Sequence, residues 1–229
     1  MNIKSSEIGS KMKKIISKKY PKLALKKLWQ DGRFSQAISL LENFIKDCSS
    51  KTYEKAYCDL GYSYDHNKEI TEKKRYEIAK SWYRKAIAIN KKSICGHQGL
   101  GMLLWYQAKA LRVGESELKK ELLKKSFLAI KSAYKFSNRD PEILPLMANI
   151  KFSQGSINTA RGYLKSAVKK LKDPFGVYVN GAFRFSEIGM SGSAKEFAIK
   201  ALELAPRHWD LKKSVVQEYV KKLENIAKK

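Results

Sequence analysis

Cysteine and histidine are the strongest ligating side chains in this 229-residue chain, with three of each. Cys95-Gly-His97 is a two-ligand fragment, and Cys58 and His66 are the candidates to complete it. A zinc site takes four well-placed ligands, or three and a water. Small half-buried thiols are the commoner fate of such cysteines, so no metal and no cofactor is expected, and His97 is read as filling an aromatic packing position. An odd count of three cysteines (Cys48, Cys58, Cys95) argues against a disulfide scaffold and for free thiols in a reducing compartment. Asp59, Asp65, Glu69 and Glu72 are close enough in sequence to suggest paired carboxylates for acid–base work. They stand among lysines, and a solvated charged face accounts for them better. No P-loop, dinucleotide-type glycine fingerprint, metalloprotease helix motif or nucleophile elbow occurs. Gly99-x-Gly101 lies within a helical pattern and reads as helix packing. No catalytic constellation assembles, so the chain is not expected to be an enzyme.

The remaining chemistry is charge. Lys and Arg number 47 against 22 Asp and Glu, a formal +25. Of the basic residues, 39 are Lys and 8 are Arg. Arg, whose planar fork Lys cannot imitate, is the residue favoured for reading nucleic acid. The excess is uneven: residues 1–27 carry nine Lys against one Glu, whereas 174–206 is neutral. Hydrophobic residues make up 43%, enough for a packed core. No apolar run approaches the ~20 residues of a membrane span, and the N-terminus has no apolar core of a secretion signal. The expectation is a cytoplasmic protein.

Such charges must be carried by helices, because apolar periodicity is helical nearly throughout. Ala recurs with apolar residues four and seven positions on, as Ala37/Leu41/Phe44, Ala79/Tyr83/Ala86, Ala129/Ala133/Phe136, Ala160/Leu164/Ala167 and Ala194/Ala198/Ala201. That spacing is one helix face, with small residues that admit a close neighbour. A second helical segment precedes each, most clearly Tyr57-x2-Leu60-Gly61-x2-Tyr64, then His97-x2-Leu100-Gly101-x2-Leu104, Leu144-x2-Met147-Ala148-x2-Lys151 and Tyr178-x2-Gly181-Ala182-x2-Phe185. Gly32, Gly155 and Gly189 mark tight turns between paired helices, and Pro141 and Pro206 close two units.

The pattern resembles the tetratricopeptide repeat, W-x2-L-G-x2-Y…A-x3-F…P over about 34 residues. The resemblance implies an all-α, right-handed superhelical solenoid of about five helix-turn-helix repeats, over residues 18–206 (18–52, 53–91, 92–141, 142–174, 175–206). Residues 1–17 would form a basic tail or capping helix, and 207–229 a C-terminal capping helix. Two units exceed the period: His66–Lys74 is expected to lengthen a turn, and Lys109–Lys125 to lengthen the helices around Gly114. The first unit lacks the aromatic and glycine of its first helix.

In such arrays the first helices line a concave groove, where ligands bind. The resemblance places Lys22, Lys26 and Trp29 there, then Lys55, Cys58, Tyr62, Asp65 and His66, with Cys58 and Cys95 near each other. Further along come Gln98, Met102, Trp105 and Tyr106, then Asn149 and Asn180. Trp105 and Tyr106 are open to two readings, groove contact or packing; Trp29 and Phe152 favour packing. The family's two-carboxylate clamp for chaperone tails is not matched, since Asp59 stands where Asn is needed and Cys95 and Gly99 where Lys and Arg are needed. Lys steers acidic partners, and aromatic and Met side chains supply contact area. The expected function is therefore a protein-interaction scaffold. It would bind an acidic peptide or extended segment with apolar anchors, through Lys22, Lys26, Lys55, Tyr62, Gln98, Met102, Trp105, Tyr106, Asn149 and Asn180. RNA or DNA binding along a basic surface is the weaker alternative, and the chain is expected to be a monomer or to self-associate weakly.

Overall fold

The computed structural model describes residues 20–47, 54–111, 116–208 and 214–228. The segment 1–17, read from sequence as a tail or capping helix, lies outside the described residues. The described residues hold eleven α-helices, one 3-10 turn and no strand. They divide into two compact units, one up to Leu103 and one from Leu104. In chain order the helices are α1 (Lys22–Gln30), α2 (Phe34–Asp47), α3 (Glu54–His66), α4 (Glu72–Ile89), α5 (Ile94–Ala110), α6 (Ser116–Phe136), α7 (Leu144–Ser153), α8 (Ile157–Lys170), α9 (Phe175–Glu187), α10 (Ser191–His208) and α11 (Ser214–Lys228). The fold is the helical-repeat solenoid expected from the sequence.

Three hairpins turn by the same device. Gly32, Gly155 and Gly189 adopt φ of 71°, 74° and 76°. A Cβ would be strained in that left-handed region. After α1, the Gly32 N–H donates to the Trp29 carbonyl (3.2 Å) and the Arg33 N–H to the Leu28 carbonyl (2.8 Å). Ser156 to Lys151 (2.9 Å) and Met190 to Phe185 (2.9 Å) repeat the Arg33–Leu28 bond after α7 and α9. The last carbonyls of each helix are thereby satisfied while the chain reverses.

The expected small-residue faces are buried. In the first unit Ala37, Leu41 and Phe44 join Leu25, Ile38, Ala56 and Leu60 in one cluster, and Ala79 and Tyr83 meet Leu103 in another. In the second unit Ala133, Ala160, Leu164, Ala167, Ala198 and Ala201 have no exposed surface. Glycines of the first helices stand where an aromatic ring of a neighbouring helix approaches. A Cβ on Gly61 would lie 2.7 Å from the Tyr83 ring, and one on Gly99 closer still. Gly181 stands in the same relation to Phe197. At Gly61 the leucine-glycine signature thus has a steric cause, since only a bare Cα admits the Tyr83 ring.

Two details depart from expectation. Only residues 67–71 form the turn after α3; residues 72–74 open α4, because Thr71 stands as its N-cap and Glu72 occupies the first turn. Pro206 does not end its unit but lies inside α10, near its C-terminus. The lengthened third unit resolves as expected into long helices, α5 of 17 and α6 of 21 residues. At the C-terminal end α11 packs on α9 and α10, with Leu223 fully buried and Tyr219 edge-on to Phe183 at 6.1 Å.

Candidate functional site

In the first unit α1, α3 and α5 present a pocket of about 470 Å³. Its walls are aromatic. Trp29 stands edge-on to Tyr62 with centroids 5.1 Å apart, and Tyr62 lies 4.1 Å from the His66 ring. Phe34 backs His66 at 5.7 Å. The Trp29 indole N–H donates to Ser63 Oγ at 2.9 Å, and Ser63 Oγ donates to the Asp59 carbonyl at 2.7 Å, so the ring is fixed from behind. Gln98 and Met102 line the α5 side, and the buried Tyr83 ring contributes from α4.

Two carboxylates enter this pocket. Asp59 is 9% exposed and the Asp65 side chain 12%. Asp59 accepts from the Tyr20 hydroxyl and from Lys55 Nζ at 2.9 Å. Burial pushes the Asp65 carboxyl above its usual range, and the charges of His66 and Arg75 oppose that shift. His66 Nδ1 is 3.9 Å from Asp65 but makes its hydrogen bond to the Tyr62 carbonyl, at 3.0 Å. Tyr83 is pushed up first by its own burial and then by the negative charge of Asp65 and Asp59. The solvated-face expectation therefore fails for Asp59 and Asp65. Their sequence neighbours are lysines, but their spatial neighbours are rings from other helices. Glu69 and Glu72 are exposed, as expected.

The cysteines also correct the sequence. Cys58 on α3 and Cys95 on α5 form a disulfide, with Cα atoms 5.9 Å apart, in the usual range for a bridge. They are not free thiols, and the case for a reducing compartment loses its support. The expected proximity of the two is met. His97 is half-buried, and its Nε2 bonds the Lys91 carbonyl at 3.0 Å. No cluster of three or more His, Cys, Asp or Glu able to hold a metal occurs among the described residues.

Tyr62, Gln98 and Met102, all expected at the groove, do line this pocket. Lys55 lies beside it, lining an adjoining cavity with Gln98, and its ammonium is turned onto Asp59 and the Tyr20 ring. Lys22 and Lys26 are exposed on α1. Trp29, expected to pack, does so and also forms a wall.

The second unit has its own polar network. Trp105 is buried, and its indole N–H donates to Ser153 Oγ at 2.9 Å. The Arg184 guanidinium lies 5.4 Å from the Trp105 ring centroid, and its Nε donates to Asn149 Oδ1 at 3.2 Å. Tyr106 is 40% exposed beside Trp105, so the two readings divide: Trp105 packs and Tyr106 faces outward. Asn180 is half-buried. Ser153 and Arg184 escaped the sequence reading, although each stands four residues after a predicted groove asparagine, on the same helix face. Phe152 packs edge-on to Phe185, as expected.

No family model and no curated protein matches the chain. Solved structures do. A thermophilic TPR protein of Thermus thermophilus matches at TM-score 0.70 and 18% identity, over 88% of this chain and 96% of that one. Human IFIT1, as a dimer with m7Gppp-AAAA, matches at TM-score 0.52 and 16% identity, over 89% of this chain and 49% of IFIT1. At such identities the likeness is one of fold, and that fold is the tetratricopeptide-repeat array. No described helix is long and apolar enough to cross a membrane.

Proposed function

We propose that this chain is a protein-interaction scaffold whose first helices bind an extended segment of a partner. The observation that carries this reading is the pocket of α1, α3 and α5 with its fixed aromatic walls. Tyr62, Gln98 and Met102 would supply contact area, and the exposed Lys22 and Lys26 would steer acidic residues of the segment toward α1. Tyr106, Asn149 and Asn180, on the second unit, are proposed as partner contacts of that unit. Lys55 and Trp105 act indirectly in this reading, by holding Asp59 and the Asn149–Arg184 network in place. Nucleic acid is the alternative, supported by the +25 charge and by the RNA-bound IFIT1 fold. Two carboxylates in the pocket oppose phosphate there, which favours a protein segment.

Affinity purification from the native cell, with and without nuclease, tests this. The Lys22→Glu/Lys26→Glu and Tyr62→Ala/Met102→Ala proteins should each lose a nuclease-resistant partner that the parent captures. Unchanged recovery with both variants would refute the groove reading. Loss of every partner on nuclease treatment would instead favour nucleic acid.

A further inference from the structure

We propose that the pocket of α1, α3 and α5 is a receptor for an arginine side chain of the partner segment. This deepens the scaffold reading and rests on it. The chain carries 47 Lys and Arg among 229 residues, yet neither type lines this pocket; its ionisable lining is Asp59, Asp65, His66 and Tyr residues. The pocket is thus locally reversed in sign against the rest of the molecule. Two chemistries meet there. The Trp29, Tyr62 and His66 rings offer faces and edges over which a planar cation stacks. The Asp65 carboxylate, on α3 with Tyr62 and His66, can accept the guanidinium fork. Asp59 lies six residues, or about 9 Å of helix rise, earlier on α3 and is already paired with Lys55.

The charges facing these carboxylates are accounted for. Lys55 and the Tyr20 hydroxyl are spent on Asp59. Arg75 acts on Asp65 through space and stacks at 5.3 Å from the Tyr76 ring, away from the pocket lining. His66 gives its Nδ1 proton to a backbone carbonyl. An acidic occupant would meet Asp65 with no Lys or Arg lining the pocket to offset it. A neutral apolar occupant would take the remaining water from the half-buried Asp65 carboxylate and leave it only His66 and Arg75 nearby, which is costly. A guanidinium removes that penalty and stacks at the same time. Lys could supply the charge but not the planar fork, so arginine is the occupant the walls select. The same segment can carry acidic residues against Lys22 and Lys26, outside the pocket.

The test uses the whole chain and a single capped residue, N-acetyl-arginine-N-methylamide, titrated by two-dimensional amide NMR that also follows the Trp29 indole. The capped glutamine and capped glutamate derivatives serve as controls. The expected result is saturable shifts at the Trp29 indole and α3 amides with arginine only, in the millimolar range. The Asp65→Asn protein should bind roughly tenfold more weakly or worse. A melting temperature no lower than the parent's will show that this variant is folded. Equal shifts with arginine and glutamine, no shifts with any probe, or an unchanged response in Asp65→Asn would overturn the proposal. Failure here is separable from failure of the scaffold: a partner still captured through Tyr62 and Met102, but equally well by Asp65→Asn, would leave the scaffold standing and dismiss the arginine.

Discussion

Replacing Gly99 with alanine tests the repeat packing at its tightest point. The new methyl group would fall 2.1 Å from Cε1 of Tyr83, well over an ångström short of a carbon–carbon contact of about 3.5 Å. The ring cannot swing clear, because it is 5% exposed and its same edge already lies against Gly61. Overpacking of this kind costs about 1–3 kcal/mol, against which the helix gains about 0.5–1 kcal/mol from losing a glycine. The net expectation is a loss of roughly 1–2 kcal/mol. Gly162, on the exposed face of α8, is the matched control: nothing lies within 4 Å of its added Cβ, so Gly162→Ala should stabilise by about 0.5–1 kcal/mol. Urea unfolding followed by far-ultraviolet circular dichroism reads both, as midpoint shifts of opposite sign. In a Tyr83→Leu background, Gly99→Ala should become harmless, with a coupling of about 1–3 kcal/mol between the two sites. Midpoints that move the same way for Gly99→Ala and Gly162→Ala, or costs that simply add with Tyr83→Leu, would refute the ring-over-glycine account.

Other consequences follow from the first unit. The Cys58–Cys95 bridge closes a loop of 37 residues, worth about 4 kcal/mol on chain-entropy grounds. Dithiothreitol should therefore lower the urea midpoint of the parent and leave that of a Cys58→Ser/Cys95→Ser protein unmoved. The Tyr64 hydroxyl, which donates to Glu42 at 2.8 Å, is pushed up to about 12 by burial first and then by Glu42. Its folded value lies above the unfolded value near 10, so this contribution to stability is intact below pH 10 and is lost between about pH 10 and 12. Tyr64→Phe should flatten the fall in melting temperature over that window, and an unchanged slope would contradict the assignment. Asp65→Asn should raise stability at pH 7, because the folded protein then no longer holds a desolvated charge whose pKa burial has raised. A clear drop in melting temperature would mean that Arg75 and His66 stabilise the carboxylate more than burial costs it.

The fold was legible in the sequence because its rules are local. Alanines at i, i+4 and i+7 define a face that only a close helix can cover, and Gly32, Gly155 and Gly189 sit where the chain must take positive φ. Register within the resembled repeat named Tyr62, Gln98 and Met102, three residues that line one pocket. The electrostatics of that pocket were not legible. Whether Asp59 and Asp65 are solvated depends on Tyr20, Trp29 and Tyr83, which come from other helices at separations no periodicity reports. The disulfide was hidden for a related reason. Parity of the cysteine count carries no geometry, whereas the bridge depends on α3 and α5 lying side by side with Cys58 and Cys95 facing.

The acidic residues show why the total charge is a poor guide to the partner. Glu117 with Lys120, Glu121 with Lys125, Glu203 with Lys200 and Glu218 with Lys222 are exposed pairs one turn apart on single helices. Each is worth a few tenths of a kcal/mol and is weakened by salt. They neutralise part of the lysine excess without marking any surface. Asp65 belongs to another class, because it is dehydrated beside rings and its ionised form is penalised by the fold. A helical repeat gains no stability from such a charge, so packing alone gives it no reason to be there. Recognition does give one. A carboxylate held out of water discriminates between partners through the cost of leaving it unpaired, whereas the exposed lysines of the described helices attract any polyanion alike. The partner should therefore be sought by the residue it can place beside Asp65, with the lysines setting how fast it arrives.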